Sequence, residues 1–373
     1  MKYPDYTNSI TNIACSVLKY YGVKDVRHNS ILELDNILEE KKPRNIIMML
    51  FDAMGISILK QHLSPNSFSR RHVIKTVSST FPPTTTAATT SINSGLTPYE
   101  TGWLGWISYF KEVDENVITF FSTLQSDDKI PACNYNLAYT LIPYKTLGVQ
   151  VKEANPDVDC FAISPFPANP WDRTVISNSV ENTCQIIKDT IKQPGRHMIY
   201  AYWPEPDHTM HEVGVDHSSI TAIMRNINEN LKKLSHSIGD DTLVMATADH
   251  SQINSKWFYL EDYPDVYELI LRPHSMEHRA ASYWVKPGTQ KLFKERFNSH
   301  FAPHFKLLTH DEFLASGLLG NGSPSPRTDG FVGDFVAIAT DEYCLSEVHG
   351  DNDLVGIHAG LTIEEMEVPL IIL

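Results

Sequence analysis

The segment Asn45–Phe51, with Asp52 directly behind it, constrains this chain more than any other stretch. Ile46 to Phe51 is unbroken apolar sequence led by the basic Arg44, and a glycine, Gly55, follows the acid within three positions. A run this short and uniformly apolar is expected as a strand buried on both faces, as in a parallel sheet covered by helices. Open α/β sheets bind their ligands beyond the carboxyl ends of the strands. Asp52 is therefore expected at the rim of a site rather than inside the core.

Further along, the same device recurs. His197–Trp203 is an apolar strand candidate running into Asp207-His208-Thr209-Met210-His211, and Thr242–Thr247 is another, stopping on Asp249-His250. Helical spacing of apolar residues marks segments 9–20, 177–192 and 218–238, and shorter helices are expected at 30–39, 57–62 and 290–297. Strands are expected at 71–78, 158–163, 280–285, 335–339 and at the C-terminal end. Alternation of this kind predicts an α/β fold, a three-layer α/β/α sandwich with a mostly parallel central sheet. A single domain over 1–373 is expected, with lid or cap insertions around 99–155 and 255–330. The aromatic group Trp103, Trp106 and Tyr109 is read as core, with stacking on a base as the alternative.

Between the prolines Pro82-Pro83 and Gly95 lies a hydroxyl-rich run containing Thr84, Thr85 and Thr86. Proline and threonine suit a helix start and glycine suits its stop, so a short helix is expected with a hydroxyl at its positive end. An anion, or a nucleophile meant to become one, is stabilised there.

Charge narrows the function. The net charge of −14 argues against a nucleic-acid polymer as partner, while bound cations would still admit an anionic small molecule. Five cysteines without a CxxC pair suggest a reduced intracellular protein. The N-terminus lacks the pattern of a signal peptide, and no apolar run is long enough to span a membrane. A cytoplasmic location is expected.

The acids and histidines at these strand ends are Asp52, Asp207, His211, Asp249, His250 and the late His358. Nitrogen and oxygen donors without a thiolate suit Zn or Mn. Asp207 and His211, four apart, share one face if that segment is helical. His208 and His217 read as surface residues, Glu277 and Arg279 as a solvated loop with substrate contact as the alternative, and His349 as a rival to His358.

In combination and order, these motifs resemble the alkaline phosphatase superfamily, most closely its nucleotide pyrophosphatase/phosphodiesterase branch. That family pattern is a strand-ending Asp, Pro-x-x-Thr with Gly ten residues on, Asp-x-x-x-His with Gly three beyond, Asp-His, and a late His. Asp52, Pro82 to Thr85 with Gly95, Asp207-His211-Gly214, Asp249-His250 and His358 match it. The resemblance implies an alkaline-phosphatase-like fold and two divalent metal ions, Zn first and Mn as the alternative. One would be held by Asp207, His211 and His358. The other would be held by Asp52, Asp249, His250 and the oxygen of a nucleophilic Thr85.

Thr80 competes for that role, because Thr80-Phe81-Pro82 is similar to the Thr-Phe-Pro of many family phosphodiesterases; the spacing to Gly95 favours Thr85. The sulfatase pattern C/S-x-P-x-R is absent, which disfavours sulfate esters. Relatives place an asparagine about twenty residues past the nucleophile to hold phosphoryl oxygen. Here that zone holds Trp103 to Trp106, so backbone N–H groups of Thr85 or Thr86 are the candidates instead. The activity implied is hydrolysis of phosphodiester or nucleotide pyrophosphate bonds in a small molecule, through a phosphothreonine. The alternatives are phosphomonoester or phosphonate hydrolysis on the same scaffold, or an inactive binding module.

Overall fold

The computed structural model describes residues 1–350 and 354–373. Its central sheet has seven strands in the order Val73–Ser78, Glu367–Ile372, Thr242–Thr247, Asn45–Phe51, Arg196–Trp203, Val158–Ser164, Thr174–Ile176. All pairs are parallel except those made by Glu367–Ile372, which runs antiparallel to both neighbours. Every residue of Asn45–Phe51 is buried, as expected for a strand covered on both faces. Helices cover the sheet in two groups. Ile10–Tyr20 packs with Leu32–Lys41, Thr85–Ser94 and Leu147–Ala154, and Ser218–Ser235 packs with Ile56–His62 and Val180–Ile191. The fold is the α/β/α sandwich with a mostly parallel sheet that the alternation predicts.

Register decides where the chemistry sits. Leu50 lies opposite Thr247 and Phe51 opposite Trp203, so the three middle strands end level with one another. Asp52 continues the ladder by donating its N–H to the Trp203 carbonyl at 2.9 Å, and the Asp207 N–H reaches the Asp52 carbonyl at 3.2 Å.

A second sheet of eight antiparallel strands was not legible as such in the sequence. Its order is Phe305–Thr309, Phe335–Ala339, Ala280–Tyr283, Ser275–Glu277, Ile107–Phe110, Glu115–Ile118, Thr123–Leu124, Asp127–Pro131. Residues of the two segments around 99–155 and 255–330 thus meet in one sheet, joined where Met276 pairs with Ile107. Strand periodicity serves both of its faces: Val336 and Ile338 enter one apolar cluster, while Phe335, Ala337 and Ala339 enter another.

Arg279 corrects its expected placement in a solvated loop. It is fully buried, and its Nε donates to Glu365 Oε1 at 2.7 Å and its Nη2 to Oε2 at 2.8 Å. The remaining guanidinium bonds go to the Tyr343 and Asp341 carbonyls, both at 2.6 Å. Glu365 also accepts the Gly360 N–H at 2.8 Å, so this pair fastens the turn after His358 to the second sheet. Breaking a buried ion pair leaves one charge unpaired. Arg279→Met is expected to destabilise the protein by roughly 3–5 kcal/mol in urea unfolding; a loss under about 1 kcal/mol would mean that the turn is held by other contacts.

Candidate active site

Beyond the carboxyl ends of the three level strands, two groups of side chains converge. Asp52, Asp249 and His250 form one, all buried, and Asp207, His211 and His358 the other. Within each group the donor atoms lie within 4.8 Å of one another. Asp207–Val213 is a helix, so the four-residue spacing brings His211 Nε2 to 3.2 Å from Asp207 Oδ2. His250 Nε2 lies 3.4 Å from Asp52 Oδ1 and 3.6 Å from Asp249 Oδ2, and its ring stacks on His358 at 3.9 Å, joining the groups. Two residues that follow site groups hold left-handed backbone, Ala53 at φ 55° and Ala359 at φ 89°. Such conformations are uncommon outside glycine and cluster where a side chain must be aimed.

Thr85 opens the helix Thr85–Ser94, which ends on Gly95 at φ 74°. Its Oγ1 sits 3.4 Å from Asp52 Oδ2 and 3.2 Å from His250 Nε2. Thr80 is buried, with its hydroxyl 3.5 Å from the Pro82 carbonyl. His349 is away from both groups, 2.9 Å from Asp262 and stacked on Tyr259. His208 and His217 are exposed, as expected.

The donor chemistry of these residues fits divalent cations. Each histidine turns Nδ1 to a backbone carbonyl: His211 to Gly356 at 2.8 Å, His250 to Ser251 at 3.1 Å and His358 to Pro83 at 3.1 Å. A carbonyl can only accept, so Nδ1 carries the proton and Nε2 is the atom presented to the site. Asp52 Oδ1 and Asp249 Oδ2 are buried carboxylate oxygens without a hydrogen-bond partner, a costly state for the chain alone.

Proton affinities report the same crowding. Burial, then the charges of Asp249 and Asp207, push the Asp52 carboxyl well above the usual range. Burial also raises Asp249. Burial opposes charging His211, but Asp207 outweighs it and lifts the imidazole to about 9. Burial, reinforced by His250, holds His358 well below the ordinary value.

Several neighbours had no sequence signal. Tyr202 donates to Asp52 Oδ2 at 2.5 Å, but in sequence it is one more aromatic in an apolar strand. The Gln252 amide donates to Asp207 Oδ1. Glu277, read as part of a solvated loop, is only 8 % exposed and accepts from both the Thr84 hydroxyl and the Trp106 amide. Trp103 is core, donating Nε1 to the Ile142 carbonyl at 2.8 Å. Trp106 instead lines a cavity of about 190 Å³ beside Thr85, with Phe121, Phe166, Trp171 and Tyr202 among its walls and no lysine or arginine. A larger cleft of about 420 Å³, past Trp106 towards Arg272 and Glu347, is lined by none of the candidate ligands.

The profile of the type I phosphodiesterase/nucleotide pyrophosphatase family matches residues 46–359. The chain belongs to that family. In fold, this family member is similar to human ectonucleotide pyrophosphatase/phosphodiesterase 5, with a TM-score of 0.69 at 13% identity over 88% of this chain and 87% of that one. The murine protein of that name gives 0.64 at 15% identity over 87% of each chain. Phosphonoacetate hydrolase from Sinorhizobium meliloti 1021, in complex with phosphonoformate, gives 0.63 at 14% identity over 88% of this chain and 90% of that one. No curated protein matches the chain in sequence.

A carboxyl whose folded pKa is raised contributes stability at low pH that is lost as pH climbs through the folded value. Asp52→Asn, which removes the like charge while keeping the shape, is therefore expected to stabilise the chelator-treated protein. The gain should reach about 1 kcal/mol or more near pH 8 and shrink towards pH 4, read by urea unfolding. A gain that does not change with pH would contradict the crowding of carboxylates.

Proposed function

We propose that this family member is a two-cation hydrolase of phosphodiesters, nucleotide-type diesters and pyrophosphates included, with Thr85 as nucleophile. The observation that carries the reading is that the two donor groups lie side by side, joined by the His250–His358 stack, with the Thr85 hydroxyl against Asp52 and His250 of one of them. Asp207, His211 and His358 would hold one cation, and Asp52, Asp249 and His250 the other. Bound there, divalent ions such as Zn or Mn would supply the positive charge that acidifies a hydroxyl and stabilises phosphoryl oxygens.

Thr85 Oγ attacks phosphorus and the ester oxygen on the opposite side departs. Water then cleaves the phosphothreonine and returns the hydroxyl. Asp52 is held by Tyr202 and orients Thr85 through Oδ2, the oxygen both hydroxyls share. The helix beginning at Thr85 presents its free first-turn amides to developing negative charge.

The aromatic cavity beside Thr85 supports an uncharged or planar substituent on phosphorus. The inactive variant of murine ectonucleotide pyrophosphatase/phosphodiesterase 5 was solved with AMP, which has such a group. Phosphonate hydrolysis, which the likeness to phosphonoacetate hydrolase keeps in view, fits less well. The cavity walls offer no cationic side chain to a substrate carboxylate.

Thr85→Ala is expected to lower kcat by at least about 10³-fold with melting temperature and cation content unchanged, while Thr80→Ala keeps its turnover. Activity retained in Thr85→Ala and lost in Thr80→Ala would reassign the nucleophile. Among p-nitrophenyl thymidine phosphate, p-nitrophenyl phosphate and phosphonoacetate, the diester should have the highest kcat/KM. A preference for phosphonoacetate would overturn the substrate class, and no turnover with any of them under Zn or Mn would favour a binding module.

A further inference from the structure

Thr84 leads the helix that carries Thr85, yet its side chain caps none of the helix amides. A threonine there ordinarily turns its oxygen onto a first-turn N–H, as Thr146, Thr309 and Thr362 do elsewhere in this chain. The Thr84 hydroxyl instead donates to Glu277 Oε1 at 2.6 Å, and the same oxygen accepts the Trp106 amide at 2.6 Å. Glu277 stands at the end of Ser275–Glu277, behind Met276 at φ 69°, where the second sheet joins its two halves. In the same first turn, Thr86 Oγ1 is buried without a hydrogen-bond partner. The helix start thus has no side-chain cap, and a buried hydroxyl beside it accepts and donates no hydrogen bond.

We infer that Glu277 is a positioning residue: by drawing the Thr84 hydroxyl off the helix, it keeps the first-turn amides open to phosphoryl oxygens. The inference rests on Thr85 as nucleophile. It also accounts for the missing phosphoryl-binding asparagine, because Trp106 stands in that zone and is fastened by the same carboxylate. Without the acceptor, the Thr84 hydroxyl is free to rotate onto the Thr86 or Ala87 amide and occupy the place of the substrate oxygen.

The test compares Glu277→Ala, Glu277→Gln and Glu277→Ala/Thr84→Val in the cation-loaded protein. It reads kcat, KM and the affinity for inorganic phosphate by calorimetry, with melting temperature as the check on folding. Glu277→Ala is expected to lower kcat/KM by about 10²-fold and to weaken phosphate binding roughly tenfold. Glu277→Gln, whose amide oxygen can accept the same two bonds, should stay within about threefold of wild type. The double variant, which has no hydroxyl to misplace, should recover most of the loss in phosphate affinity. Where the alanine variant fails to fold, Glu277→Met fills the volume without an acceptor and takes its place.

A double variant as impaired as the single one, or a Glu277→Ala protein that binds phosphate like wild type, overturns the inference. So does a Glu277→Gln protein as impaired as Glu277→Ala. A wild-type protein that neither cleaves esters nor binds phosphate removes the nucleophile reading as well. A competent wild type beside an unrecovered double variant removes this inference alone.

Discussion

Three acids, Asp52, Asp207 and Asp249, are forced together because the strands that deliver them end level in one sheet. His211 and His358 favour the charge on Asp207, but Asp52 and Asp249 are less well served. Burial and mutual repulsion push Asp52 and Asp249 towards the protonated form, and one oxygen of each accepts no hydrogen bond. The cost is borne by the apolar packing of Asn45–Phe51 between its neighbours, buried along its whole length. A strand fixed by hydrogen bonds on both sides cannot slip to separate the charges, because a one-residue shift would turn its side chains to the wrong face. The central sheet therefore acts as a clamp on an unfavourable cluster, the kind of strain that folds retain at functional sites.

The second sheet completes what the first begins. The first positions Asp52, Asp207, His211, Asp249 and His250, while the second reaches the helix that starts at Thr85 through Glu277 and the turn after His358 through Arg279 and Glu365. Gly360 sits against this pair so closely that a Cβ there would lie 2.5 Å from Arg279 Nη2. Both contacts use buried charge satisfied by several bonds at once, which fixes direction as well as distance. The position of His358 relative to Thr85 is thus shared between two sheets.

How much of this was legible follows from which interactions are local. Asn45–Phe51, Thr242–Thr247 and Phe335–Ala339 stand where their apolar runs predicted them, and Thr84 to Gly95 reads as a helix from its own cap and stop residues. Asp52, Asp207, His211, Asp249 and His250 were legible because they follow ends of central strands, and level strand ends bring such residues together; His358, after Gly356–Ile357 outside that sheet, was legible only by its place in the motif order. Glu277 and Arg279 were misread for the converse reason. In His274-Ser275-Met276-Glu277-His278-Arg279 every polar residue looks solvated, and the partners that allow burial lie far away in sequence, at Thr84 and Glu365. The second sheet was hidden likewise, because its strands are short and its central pairing joins residues as far apart in the chain as Ile107 and Met276.

Electrostatics at long range bears on the choice of substrate. The chain carries a net charge of −14, so its field opposes any anion, and more strongly as ligand charge grows. Screening confines that opposition to about 8 Å at physiological salt, but near the site the acids are buried and screened less. In the function proposed above, two cations reverse the field only locally, around one phosphoryl group and the oxygen leaving it. Past that group the walls beside Thr85 are aromatic and neutral. A phosphodiester carries one negative charge, where the field is reversed, and leaves its remaining surface to the aromatic rings. A carboxylated phosphonate brings further charge to cavity walls that carry no lysine or arginine.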